Sequence, residues 1–222
     1  MFGLGKSEVA LILASKSPRR SEILRNAGFS FDVHTTQVDE SRRPRESPRH
    51  HVQRLALAKA SLAAEHMKRK KRPAIVIGAD TIVLVQGKVL GKPSDVKEAR
   101  RMLTLLSGRT HQVLTGLSIL RVPEGVEAHH VETTRVRFLK LSKNDIDDYI
   151  ATGEPFDKAG AYGIQGIGGR FVTSIEGCYF NVMGLPLSRV WSMLLGLGYV
   201  NPGTRGGWSM LDTLRSHAQK LT

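Results

Sequence analysis

The chain has 222 residues, 41% of them hydrophobic and 24% charged, and a formal net charge of +13. That suffices for one well-buried core in one domain, and no apolar run approaches the roughly 20 residues of a membrane-spanning helix. Cys178 is the only cysteine, which excludes an intramolecular disulfide and a four-cysteine zinc site; the start of the chain lacks a secretory signal's layout, so a reducing, cytoplasmic setting is expected.

Val9 to Ala14 is short, branched and uncharged, and predicts a buried strand. It runs into Ser17-Pro18, an N-cap and first-turn proline, and a helix follows with Ile23, Leu24 and Ala27 on one face and Gly28 as its stop. A strand feeding a helix leaves unbonded N–H groups and partial positive charge at the junction. Arg19 and Arg20 occupy that first turn, where acids are favoured, so the pair points to an anion site; two solvated surface arginines are the alternative.

Phe29–Thr35 alternates as a half-buried strand, and a polar loop with adjacent Asp39 and Glu40 follows. Ser47-Pro48 opens a long helix to about Met67 whose apolar stripe is Val52, Leu55, Ala56, Leu62 and Ala63. Lys59 falls inside that stripe, so its ammonium must snorkel to water or meet an anion. A second apolar run, residues 73–78, ends at Asp80-Thr81, and residues 82–90 read as a hairpin about Gln86-Gly87. An aspartate between two buried runs is costly unless it binds a metal, a base or a proton. Asp80 is therefore the leading catalytic candidate, against the alternative of an aspartate holding turn amides.

Ser94 is expected to cap a helix to Ser107, with Gly108 as stop. Residues 112–122 and 126–139 read as paired strands about a Pro123-Glu-Gly125 turn, and Ser142 with Asp145 as a capping box opening a helix through Tyr149. The glycines of residues 153–169 suit close backbone approach to a ligand or a series of tight turns. Residues 171–182 read as a strand pair broken near Gly177, and Pro186 starts a last core helix. The expected organisation is one domain over residues 1–200 and a tail over 201–222, without internal repeats.

Three motifs fail on inspection. Residues 87–92 are one residue short of a P-loop, and Pro93 replaces its hydroxyl residue. The glycines of 163–169 lack the dinucleotide spacing and precede a strand. His50 and His51 are adjacent on a basic helix, where metal ligands sit three or four apart, so both are read as surface residues. Residues 41–72 hold eleven Lys/Arg against Glu46 and Glu65, which keeps a nucleic-acid partner as a rival reading.

What survives is an anion-ready turn from Ser15 to Arg20, acids at Glu40 and Asp80, and lysines at 59, 92 and 158. Cations that neutralise a polyphosphate, beside carboxylates that can hold a divalent metal, make a phosphoanhydride hydrolase site. At an effective dielectric near 20, one cation about 4 Å from a phosphate gains roughly 4 kcal/mol before desolvation.

These residues resemble a known family. Ala14-Ser15-x-Ser17-Pro18-Arg19-Arg20-x-Glu22-Ile23-Leu24 is similar to the signature of the Maf proteins, nucleotide pyrophosphatases named for septum-formation inhibition. Gly78-Ala79-Asp80-Thr81, Gly91-Lys92-Pro93, Leu106-Ser107-Gly108-x-x-His111, Thr115-Gly116, Glu154-Pro155, the run Asp157 to Gly166 and Gly184-Leu185-Pro186-Leu187 follow in family order. The resemblance implies an α/β fold: an elongated mixed sheet with flanking helices, like that of the inosine-triphosphate pyrophosphatases, and a cleft between two lobes. It implies hydrolysis of a nucleoside triphosphate to the monophosphate and pyrophosphate with a divalent metal cation, Mg²⁺ or Mn²⁺. By position, Asp80 would be the general base and, with Glu40, a metal-site acid, while Ser15, Arg20, Lys59 and Lys92 would bind phosphate or shape the pocket. Arg19, Thr81 and Gln165 match the branch acting on dTTP, UTP and related modified pyrimidines, not the sister branch that prefers 7-methyl-GTP, which is the alternative activity. Gln165 carries a donor and an acceptor, as the imide edge of uracil or thymine requires. The expected partner is the nucleoside triphosphate, with a homodimer left open and neither nucleic acid nor membrane expected.

Overall fold

A computed structural model describes residues 9–200 of the chain; the tail expected over 201–222 lies outside the described residues. The elements in order are β1 (Ala10–Ala14), α1 (Pro18–Asn26), β2 (Asp32–Val33), α2 (Pro48–Arg69), β3 (Ala74–Val85), β4 (Lys88–Leu90), α3 (Val96–Leu106), β5 (Thr110–Val122), β6 (Val126–Phe138), α4 (Lys143–Ala151), three 3-10 turns (Glu154–Asp157, Ala159–Ala161, Ile167–Phe171), β7 (Val172–Glu176), α5 (Tyr179–Met183) and α6 (Leu187–Gly196). One mixed sheet of seven strands runs β2-β1-β3-β5-β6-β7, with β4 paired to β3. β1 is parallel to β2 and β3, and the remaining pairs are antiparallel. The predicted mixed α/β class is therefore the one observed. No helix among the described residues is long and apolar enough to cross a membrane.

β1 and the first half of β3 are apolar without alternation because helices cover both their faces. On one face Leu11, Leu13, Ile75 and Ile77 pack with Ile23 and Leu24 of α1 and Val190 and Leu194 of α6. On the other, Ile12, Ala14 and Val76 meet Ala60, Ala63 and Ala64 of α2. β3 then continues past Asp80, and Val83 and Val85 enter a separate core with Leu90, Leu103, Leu106, Ile146 and Tyr149. The strand thus belongs to two lobes, and Asp80-Thr81 lies at their junction. The expected break at Asp80 does not occur.

Two glycines bring α2 onto the sheet beside that junction. A Cβ on Gly78 would lie 2.3 Å from the Ala56 carbonyl oxygen, and one on Gly116, directly opposite Asp80, 2.3 Å from that of Val52. Only a bare backbone admits the helix so closely.

Several local expectations are corrected. The strand over Phe29–Thr35 shrinks to β2, because Phe29 turns into the core against Trp191 and Tyr199. Leu62 is 47% exposed, and Ala27 is exposed too; Val52, Leu55, Ala56 and Ala63 are buried as expected, and Ala60, Ala64 and Met67 complete the buried stripe of α2. Asp95, not Ser94, caps α3, accepting from the Glu98 amide at 2.8 Å. After β7, Gly177 at φ +122° turns the chain into α5, so the second strand of the pair expected over 171–182 is a helix. His51 is buried, not a surface residue, and its ring meets Glu46 at 3.0 Å. The capping box forms as read, with the Ser142 amide donating to Asp145 at 2.8 Å and the Asp145 amide to Ser142 Oγ at 3.1 Å.

Candidate active site

Between the lobes lies a cleft of about 1090 Å³, at the large end of ligand pockets. All nine predicted site residues, Ser15, Arg19, Arg20, Glu40, Lys59, Asp80, Thr81, Lys92 and Gln165, line it, and so does Lys158. They come from six separate segments, which the sheet and α2 gather.

Lys59 meets anions rather than snorkelling. Its Nζ donates to Asp80 Oδ1 at 2.7 Å and lies 2.7 Å from Glu40 Oε1. The pleat explains the encounter: Asp80 shares with Val76 and Gly78 the sheet face that α2 covers, and Lys59 descends one turn beyond Leu55 onto it. Burial raises the Glu40 pKa, but the Lys59 hydrogen bond and the charges of Lys59, Lys92 and Arg20 outweigh it and hold the carboxyl below its ordinary value.

Thr81 points to the opposite face, where the Arg20 guanidinium is buried. Arg20 donates through Nε to the Gly184 carbonyl at 2.7 Å, through one terminal nitrogen to Ser15 Oγ at 3.1 Å, and through the other to Thr81 Oγ1 at 3.0 Å. Ser15 Oγ also accepts from the Ser17 amide at 3.1 Å, which leaves its own proton for a ligand. Thr115 donates to the Asn181 carbonyl at 3.3 Å, so across the 2.9 Å contact between the two threonines Thr81 is the donor. The order is fixed: Arg20 to Thr81 to Thr115 to Asn181.

Arg19 turns the other way and donates to Asp157 Oδ2 at 2.6 Å, bridging the two sides of the cleft. Asp157 also accepts from Lys158 at 2.6 Å. Both first-turn arginines of α1 thus have protein partners, which the sequence did not disclose. The α1 N-terminus keeps its free amides, since Ser17 occupies the cap position without a side-chain cap bond and the first turn holds no acid.

Among the described residues lining the cleft, seven cations (Lys16, Arg19, Arg20, Arg42, Lys59, Lys92, Lys158) face three carboxylates (Glu40, Asp80, Asp157). The excess of four positive charges matches a fully ionised triphosphate. Lys16, Arg42 and Asp157 were not singled out from sequence, although Asp157 and Lys158 stand together in the glycine-rich stretch and Arg42 in the basic loop.

No three His, Cys, Asp or Glu side chains are gathered for a metal among the described residues. What is present is a pair, Asp80 and Glu40, converging on one ammonium. Two carboxylates completed by phosphate oxygens and water suit Mg²⁺ or Mn²⁺ and not a closed protein cage.

A family model described as Maf-like protein matches residues 10–197. A dTTP/UTP pyrophosphatase of Symbiobacterium thermophilum is 53% identical over 189 residues, covering 85% of this chain and 94% of that protein. One from Bacillus pumilus is 50% identical over 188 residues, covering 85% and 96%, and one from Clostridioides difficile is 48% identical over 185, covering 83% and 93%. Among solved structures, the Staphylococcus aureus Ham1 protein is 13% identical at a TM-score of 0.47, covering 85% of this chain and 99% of that one.

Proposed function

The chain belongs to the Maf-like protein family, and from that premise we propose that it is a nucleoside triphosphate pyrophosphatase hydrolysing dTTP and UTP to the monophosphate and pyrophosphate. The observation that carries the reading is the junction itself: a buried aspartate on an unbroken strand, held by a lysine, in a cleft whose charge excess equals that of a triphosphate. Relatives about half identical to it over most of both chains bear the name dTTP/UTP pyrophosphatase, and the same pyrimidine branch is favoured by Gln165 on the cleft wall.

Asp80 takes the proton of the attacking water. Its Oδ1 is bonded to Lys59, which orients the carboxylate and leaves Oδ2 toward water. Water attacks the α-phosphorus, the bond to the bridging oxygen breaks, and pyrophosphate leaves. Ser15, Lys92 and Lys158, with the α1 amides, hold phosphate oxygens as charge moves onto the leaving group. Asp80 and Glu40 would hold a divalent cation, which would neutralise phosphate charge and orient the chain of phosphates. The single cysteine suits a cytoplasmic setting.

Pyrophosphate release across a nucleotide panel with Mg²⁺ and Mn²⁺ tests the reading. Turnover of dTTP and UTP is expected to exceed that of purine triphosphates and 7-methyl-GTP, and Asp80→Asn to abolish turnover while nucleotide binding persists. Preference for 7-methyl-GTP overturns the substrate assignment, and full activity of Asp80→Asn the base assignment.

A further inference from the structure

The loop that carries Gln165 is built around a carboxylate that never reaches the cleft. Glu154, the first residue of the turn Glu154–Asp157, accepts from the Ile167 amide at 2.8 Å and the Gly168 amide at 3.2 Å. Its Oε1 also accepts from the Tyr149 hydroxyl at 2.8 Å, and that hydroxyl accepts from the Gly163 amide at 3.2 Å. Three amides along one short loop, one before Gln165 and two after it, are thereby tied to one carboxylate and one phenol.

The glycines follow from this arrangement. A Cβ on Gly166 would lie 2.4 Å from Glu154 Oε2, one on Gly168 2.5 Å from the Tyr149 hydroxyl oxygen, and one on Gly163 2.5 Å from Lys158 Cε. The close approach read from the sequence is real, but its object is the protein's own Glu154 and Tyr149. Buried Tyr149 cannot move aside, and burial pushes its hydroxyl well above the ordinary phenol range, so it remains a donor. Burial raises the Glu154 pKa, yet the two amides and the phenol outweigh it and keep the carboxylate ionised.

We propose that Glu154 is the positioning residue for base selection: its carboxylate is the template that fixes the 163–168 loop and so sets where the Gln165 amide meets the base. The assignment rests on the pyrimidine pyrophosphatase reading above. An ionised acceptor binding two amides at once holds a loop more firmly than a neutral one, and a side-chain amide of equal size must turn its NH₂ toward a donor.

The test is a double-mutant cycle between Glu154→Gln and Gln165→Ala, read as the pyrimidine-to-purine ratio of kcat/KM. In Glu154→Gln the ratio is expected to fall about tenfold, the loss of one well-placed hydrogen bond, with the KM for dTTP raised and kcat nearly kept. In the Gln165→Ala background the same substitution is expected to leave the ratio within about twofold, because the two act in series. A structural role alone would lower the melting temperature without this non-additivity. Effects that multiply, or an unchanged ratio in folded Glu154→Gln, overturn the proposal. Should Glu154→Gln not fold, Tyr149→Phe decides, since it removes one bond to the same carboxylate: a smaller fall supports the proposal and an unchanged ratio overturns it. A wild type without pyrimidine preference overturns the underlying reading and the proposal with it.

Discussion

Thr81 has one hydroxyl proton, and Thr115 receives it, while Arg20 occupies its oxygen from the other side. Its hydroxyl is therefore committed to Thr115 and to the Arg20 guanidinium at the floor of the cleft. Thr115→Val keeps the shape and removes the acceptor, leaving the Gly184 carbonyl at 3.5 Å as a poor substitute. Urea denaturation should show a loss of about 1–2 kcal/mol, with the KM for dTTP raised more than kcat is lowered. His111 is a second residue-scale device. Its Nε2 meets the Tyr162 hydroxyl at 2.8 Å, and burial lowers its pKa from 6.5 to about 4. The unfolded chain then binds more protons than the folded one between those values, so this stability is complete above pH 6.5 and is lost as pH falls toward 4, about 3 kcal/mol in full. His66, lowered by burial beside His34, adds in the same direction. Thermal melts from pH 7 to 4.5 should slope downward in the wild type and less steeply in His111→Gln. That His111 is buried was hidden in the sequence, where it stands among polar neighbours at the start of a strand.

At the scale of elements, the close crossing of α2 over β3 and β5 sets the distance from Lys59 to Asp80. Gly116→Ala drives a methyl into the Val52 carbonyl, so α2 must lift or slide. The expected loss is about 1–3 kcal/mol, and turnover should fall further than the melting temperature explains; full activity at reduced stability would show that the lysine follows the helix without consequence. Most elements were legible because local signals suffice: apolar runs gave β1 and β3, Ser-Pro pairs opened α1 and α2, and Ser142 with Asp145 opened α4. What failed depended on distant partners. Asp80 read as the end of a strand because its counter-charge arrives from a helix 21 residues earlier. The stretch after Gly177 read as a strand because nothing local shows that Asn181 will be buried, donating to Val113 and Thr134. All nine site residues proved to share one cleft, but their mutual bonds, Arg19 to Asp157 among them, were invisible in the order of the chain.

For the whole molecule, charge is the widest-ranging property. Part of the +13 excess lies at the cleft, where Arg42 is among the lining residues and Arg43, Arg45 and Arg49 lie exposed on the adjoining loop and helix start. Such a field raises the encounter rate with a polyanion and is screened over about 10 Å at 0.1 M salt. Raising salt from about 0.05 to 0.5 M should therefore lower kcat/KM several-fold with kcat little changed, and replacing Arg43 and Arg45 by Gln should flatten that response. A flat response in the wild type would mean that the charge lies off the substrate's path.

β3 is shared by two cores and passes between them unbroken, with Asp80 at its waist. A lever moves least at its fulcrum. Gln165 and Lys92 stand on loops out along the two arms of the cleft wall, while the Asp80 carboxylate sits at the pivot, bonded to the helix that crosses it. Any displacement of one lobe against the other would therefore shift the rim more than the Asp80–Lys59 pair at the centre.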